Sequence, residues 1–302
     1  NSATFLAIEN PSTDVARYRA GDLDMTNYGL PPEQFAKLQK ELPGEVYITR
    51  TLATYSYELN NKKAPFDNVN IRKALNLSLD RNVITDKVLG QGQTPTYVFT
   101  PTYIEEGHLI QQPAYSKEPM AQRNEEAIKL LEEAGYNKAN PLKFTILYNT
   151  NENHKKVAIA AASMWKANTK GLIDVKLENQ EWKTYIDSRR AGRYDAARAG
   201  WNADYNQATT FGNYFLSNSS NNTAKYANPE YDKAIAESYV ATDAEGRAKA
   251  YAKAEEILAK DFGIVPIFNY VNPRLVKPYV KGYSGKDPQD HIYLRNLYII
   301  KH

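Results

Sequence analysis

Cysteine is absent from this sequence. Its absence removes disulfide frameworks, thiolate nucleophiles and Cys-ligated zinc or iron together, and it leaves the redox compartment open. Histidine is sparse: His108, His154, His291 and His302 lie far apart, with no pair at the i, i+4 spacing of a helical metal site. That pattern argues against a zinc enzyme, and neither a metal nor a cofactor is expected. No charge of one sign dominates. The 38 Lys and Arg against 35 Asp and Glu leave a net charge of +3 with the signs interleaved. Nucleic-acid binding calls instead for basic residues gathered on one face. No run approaches the roughly 20 apolar residues that cross a bilayer. The opening NSATFLAIENPSTD lacks a charged segment followed by an apolar one, so no signal peptide is expected in this numbering. Glycine-rich phosphate loops are missing too. Gly90-Gln91-Gly92 follows a helix where a dinucleotide fingerprint needs a strand, and Pro95 sits near the third glycine's place. No nucleophile-elbow serine and no internal repeat occurs.

What is present is a globular chain. At 302 residues and 42% hydrophobic content, it suits two domains, or one large domain with an appendage. Tyrosine is the outlier, 23 against 9 phenylalanines, and implies amphipathic aromatic surface of the kind that lines polar clefts. Apolar spacing predicts strand 142–148, a helix in 154–168 capped by Asn151 or Asn153 and stopped by Gly171, strand 172–178, helix 181–190 and strand 194–201. Such alternation makes the fold class α/β, a lobe with crossover helices on a sheet. Upstream, two consecutive helices are predicted before Gly90, the second capped by Asp80, and another over 123–136. Downstream come a helical pair and strand 263–270, with loops at 115–122 and 217–230. The first 50 residues are predicted to hold one amphipathic helix, PPEQFAKLQKEL, and a strand. The last 30 are rich in Pro, Gly and Tyr, so both ends could belong to another body.

The informative segment is YDAARAGWNADYNQATTF, residues 194–211. A strand ends in Arg198, Gly200 and Trp201, and Asn202 and Asp204 follow in a turn. A cation, bare backbone, an aromatic plate and an anion thus meet at a strand's carboxyl end, where open α/β sheets bind ligands. A structural alternative has Trp201 in the core and Arg198 paired with Asp204. On the preceding helix, Trp182, Tyr185 or Ile186, and Arg189 share one face, unless that face is merely exposed and Arg189 solvated. His154, near a helix start, suits a solvated cap residue.

Together with TDVARYRAGDLDMT, LYNTNENHKK, NQEWKTYIDSRR, LSNSSNNTAKY, YVNPRLVKP and RNLYIIKH, the stretch ARAGWNADYN resembles the C-terminal part of the periplasmic oligopeptide-binding proteins, solute-binding protein family 5, that serve bacterial peptide importers of the ABC class. The resemblance covers nearly the whole chain. It implies a periplasmic-binding-protein-like α/β lobe (class II, cluster C type) plus part of a second, discontinuous lobe. Residues 1–50 would be a partial lobe I segment, 51–270 the complete C-terminal lobe and 271–302 a return segment of lobe I. It implies a non-enzymatic receptor in the periplasm, partnered by oligopeptides and a membrane permease, that closes over an extended peptide. Asp204 would hold the peptide α-ammonium. Trp201 and Trp182 would wall side-chain pockets, with Gly200 and Asn202 beside the peptide main chain. Arg189 resembles a pocket-lining residue, Tyr270 matches a cleft tyrosine, and Arg198 and His154 match positions that meet peptide carboxylates. A buried Asp204 kept ionised by Arg198 is the expected anchor. Two positions depart from the family pattern, with Leu89 in place of a lysine and Asn202 in place of a cysteine. Family members are longer, so an upstream portion is expected to be missing. That would leave half a cleft and surface prone to self-association. Alternatives are a murein-peptide-binding relative, a hydrolase using a carboxylate base, and a folded fragment with no binding of its own.

Overall fold

The computed structural model describes residues 2–8, 10–27 and 29–301; His302 lies outside them. The first helix, α1 (Pro11–Ala20), was not among the predicted elements, yet its ends are ordinary. Asn10 accepts from the backbone N–H groups of Ser12 and Thr13, Pro11 fills a position whose N–H would be unused, and left-handed Gly21 stops it. The expected amphipathic helix is α2 (Pro32–Glu41), which buries Phe35 and Leu38. Val15, Tyr18, Leu30, Phe35, Leu38 and Leu275 close a small core of their own.

Strand β1 (Val46–Leu59) is long, and its last eight residues are all buried, which suits a central strand covered on both faces. Helix α3 (Val69–Leu77) leads to a π-helical turn at Val83–Leu89 where an α-helix was predicted. Its ends are the predicted ones: Asp80 Oδ1 accepts from Asn82 N at 3.0 Å, and Gly90 is left-handed. After the short β2 (Thr94–Pro95), the predicted loop at 115–122 proves partly helical. It holds a 3-10 turn at Ala114–Lys117 and the start of α4 (Met120–Glu133). Then β3 (Leu142–Asn149), α5 (Glu152–Asn168), β4 (Ile173–Gln180), α6 (Trp182–Arg190) and β5 (Ala196–Asn202) follow in the predicted order. The chain continues through α7 (Thr209–Gly212), the helical pair α8 (Pro229–Val240) and α9 (Ala244–Lys260), β6 (Ile264–Leu275), and a two-stranded sheet of β7 (Val280–Lys281) and β8 (Tyr298–Ile299).

The main sheet has the order β2-β6-β1-β5-β3-β4. Parallel pairing joins β3 to β4 and β5, because α5 and α6 cross over between them, whereas β1 runs antiparallel to both β5 and β6. One core gathers Tyr55, Tyr57, Phe144, Trp165 and Phe268. A second gathers Phe99, Phe211, Phe215, Tyr231 and Leu258 under α8 and α9. Trp165 is fully buried and its indole N–H donates to Leu75 O at 2.9 Å, so its burial leaves no polar group unmet. Strands β1 and β6 both run through the positions, 50 and 270, where the sequence suggested boundaries. Their pairing loses register between Arg50 and Thr54 and again between Tyr55 and Ser56.

Candidate functional site: a track along strand β5

Sheet order, not sequence, assembles the site. Because β5 lies beside β1, Arg198 faces Tyr57 and Gly200 faces Tyr55 across the ladder. The Arg198 guanidinium donates to Tyr270 Oη at 2.5 Å and to Asn149 Oδ1 at 3.4 Å, and it lies 5.2 Å from the centre of the Tyr55 ring. Gly200 makes room for this pair. A Cβ there would stand 3.1 Å from Arg198 Nη2 and 3.3 Å from Tyr270 Oη. His154 sits in the first turn of α5, whose N-cap Asn151 accepts from the His154 backbone N–H at 3.1 Å. Its imidazole is not solvated as the cap reading expected. It tilts onto Tyr55 with centroids 5.6 Å apart, and its Nδ1 is buried without a partner. Burial first, and the Arg198 cation second, push the imidazole pKa down to about 2, so the ring is neutral.

Asp204 occupies the turn at the other end of β5. It is exposed, not buried, and Arg198 turns to Tyr270 and Asn149 instead of pairing with it. The expected anchor is corrected in both respects. The physical reason is the strand: β5 runs extended from Arg198 to Asn202, a rise of about 13 Å, before the chain bends at Asp204. Thr210 ties Asp204 to Trp201 instead. Its Oγ1 accepts from the Trp201 indole N–H at 3.1 Å and from the Asp204 backbone N–H at 3.3 Å, and donates to Asp204 Oδ2 at 3.5 Å. Trp201 is half-buried, edge-on to Tyr214 at 4.9 Å. Asn202 is exposed at the strand's end, opposite Ala53.

Helix α6 divides its face. Trp182 is 57% exposed and stacks on Tyr185, whose hydroxyl donates to the Arg198 carbonyl. Arg189 is neither solvated nor directed to open space: it is 8% exposed and donates to Glu58 Oε2 at 3.0 Å, Tyr214 Oη at 3.1 Å and Thr223 Oγ1 at 3.0 Å. Glu58 is fully buried and also accepts from Tyr214 Oη at 2.7 Å and from Thr223. Arg189 is thus linked to Trp201 through Tyr214, whose ring packs edge-on against that indole. Glu58, Tyr55, Asn149 and Thr210 were missed from the sequence.

Two pockets flank this track. One of about 680 Å³ is lined by Tyr55, Leu89, Gln91, His154, Phe268 and Tyr270 on the large lobe and by Ile8, Pro11 and Leu30 on the N-terminal segment. Its lining includes no Asp, Glu, Lys or Arg, and Leu89 is the residue found where the resemblance expects a lysine. Another of about 510 Å³ lies near the Asp204 turn, lined by Thr49, Asn206 and the loop 282–293. Gln289 from that loop donates to the Asp204 carbonyl at 3.3 Å. Among the described residues, no group of three or more His, Cys, Asp or Glu is arranged to hold a metal ion, and no helix is long and apolar enough to cross a membrane.

The family model for bacterial extracellular solute-binding proteins, family 5 Middle, matches residues 1–223. The chain belongs to this family. Its sequence is 97% identical over all 302 residues to the periplasmic oligopeptide-binding protein OppA of Haemophilus influenzae, of which it spans 56%. It is 44% identical over 299 residues to the periplasmic murein peptide-binding protein MppA of Escherichia coli, spanning 55% of that protein. Among solved structures, the Haemophilus influenzae OppA complex with RPPGFSPFR superposes with a TM-score of 0.92 at 96% identity, covering 98% of this chain and 58% of that one. The chain thus spans just over half the length of these relatives. The family 5 fold is the periplasmic-binding-protein-like α/β fold expected from the sequence, and the relatives are named as binding proteins, not enzymes.

Proposed function

We propose that this chain is the C-terminal portion of a non-enzymatic periplasmic receptor that captures short oligopeptides and delivers them to the membrane permease of an ABC importer. The supporting observation is the spacing of opposite charges along β5. The Arg198 cation lies within β5 and the Asp204 carboxylate just beyond its end, with about 13 Å of extended strand from Arg198 to Asn202 between them, a span that suits a peptide of a few residues. Affinity for peptides of varied sequence has to come from the shared ammonium, carboxylate and main chain, with permissive side-chain pockets. In this reading Asp204 takes the α-ammonium through charge-assisted bonds, worth about 1.5 to 3 kcal/mol. Gly200 and Asn202 run beside the peptide main chain, Trp201 and Trp182 wall side-chain pockets, Arg189 positions Trp201 through Tyr214, and Arg198 with Tyr270 and His154 meets the carboxylate end. Residues 1–50 and 271–302 then act as one body and 51–270 as the other.

Calorimetry with tri- and tetrapeptides tests this. Asp204→Ala should weaken binding at least tenfold, and the same loss should follow when the parent meets N-acetylated peptides. Undiminished affinity in both removes the anchor. A second reading, a folded portion that binds nothing alone, is favoured by the exposure of Asp204 and Trp182, since small-ligand sites bury most of their ligand. Absence of heat with every peptide would select it. A hydrolase would cut the peptide, which mass spectrometry after incubation would reveal.

A further inference from the structure

Two polar contacts tie the N-terminal segment to the elements facing it, one between residues that line the larger pocket and one on the exposed surface next to residues that line it. Gln91, just after the π-helical turn, is 3% exposed and donates from Nε2 to the Leu30 carbonyl at 2.5 Å. Its amide is held in that orientation, because Gln91 Oε1 accepts from Gln93 Nε2 at 3.3 Å and the Gln91 backbone N–H donates to Gln93 Oε1 at 3.1 Å. Slightly further along the N-terminal segment, Glu33 in the first turn of α2 accepts from Lys156 of α5 at 2.9 Å. The walls so joined have separate cores. Leu30 packs with Val15, Tyr18, Phe35 and Leu38, whereas Leu89 and Val157, close neighbours of Gln91 and Lys156, belong to the core of the large lobe. The strands that connect the two bodies lose register between Arg50 and Thr54. Separate cores, connecting strands with a break in register, and one tie at the intervening pocket with another on the surface beside it are the parts of a hinged closure.

We propose that Gln91–Leu30 and Glu33–Lys156 form a two-point clasp that holds the N-terminal segment over this pocket and governs exchange of its contents. The inference rests on the peptide reading only for what the pocket contains. The two points differ in kind. The Gln91 bond is buried and directional, so salt leaves it alone, whereas the Glu33–Lys156 pair is exposed and screened by salt.

The lack of cysteine permits a clean distance measurement. Spin labels on Gln39→Cys of α2 and Ile159→Cys of α5, both exposed positions, report the separation of the walls by double electron–electron resonance without any peptide present. The parent should give one short, narrow distribution. Lys156→Gln should raise the share of longer distances about two- to fivefold, and about 1 M salt should do the same to the parent but add nothing to the variant. Gln91→Ala should raise it about fivefold or more, and the reversed pair Glu33→Lys with Lys156→Glu should restore the short distribution. Lys156 lies on the surface, so its variant tests the clasp even where Gln91→Ala fails to fold. Unchanged distances in Lys156→Gln, at low and high salt, overturn the proposal. Because no ligand is added, the distances report on the clasp whether or not the chain binds peptides.

Discussion

Gly200 is a position where one methyl group decides the geometry of two neighbours. Since a Cβ there would crowd both Arg198 Nη2 and Tyr270 Oη, Gly200→Ala should leave the melting temperature nearly unchanged, because the arginine end is flexible, but should displace the guanidinium. Calorimetry is expected to show peptide affinity reduced several-fold, and an unchanged affinity would detach the Arg198–Tyr270 pair from recognition. His154 makes a prediction of a different sort. Its folded-state pKa of about 2 lies below the ordinary value of 6.5. Between those values the unfolded chain binds more protons than the folded one, so stability contributed at this site falls as pH drops and is constant above about 6.5. Urea unfolding at pH 4 and pH 7 should therefore show a smaller acid loss in His154→Gln than in the parent. An equal loss in both would mean that the ring is protonated in the folded chain.

Elements rather than single side chains decide what Glu58 and Arg189 do. The pair joins β1 to α6 and holds Tyr214 and Thr223, with Glu58 fully buried. Arg189→Met leaves that carboxylate uncompensated and should destabilise the chain by about 3 to 5 kcal/mol, whereas Glu58→Gln with Arg189→Met should recover much of the loss. A urea-unfolding cycle in which the double variant loses as much as the sum of the singles would show no such coupling. The same pair explains the reach and the limits of reading this sequence. The alternation from β3 to β5 was legible because hydrophobic period and caps are local, and residues 198–204 were legible because they are contiguous. Helix α1 had its own local signals in Asn10, Pro11 and Gly21, but its apolar stripe is too thin to stand out. Glu58 had no local signal. It meets Arg189 from 131 residues away, and only the placement of β1 beside β5 and β6 brings it there. Tyr55 and Asn149 enter the site by the same route, and Arg198 takes them as partners in place of the acid six residues ahead.

At the scale of the whole molecule, one group of exposed large apolar side chains lies around the two-stranded sheet of β7 and β8. Tyr298 is 60% exposed and Ile299 54%, with Tyr293, Leu294 and Ile300 exposed nearby. Among the described residues, strand β8 pairs with β7 alone. Exposed apolar side chains on a short strand with one open edge favour pairing with another chain. The chain should therefore associate with itself, and light scattering should show apparent mass rising with concentration. Tyr298→Lys with Ile299→Lys places charge on that edge and should hold the chain monomeric without altering its far-ultraviolet circular dichroism, because neither side chain contributes to a buried core. A clean monomer of the parent at high concentration would show that this edge does not recruit a second copy. Association that survives the double lysine substitution would shift attention to the N-terminal segment, where Phe5 is 71% exposed.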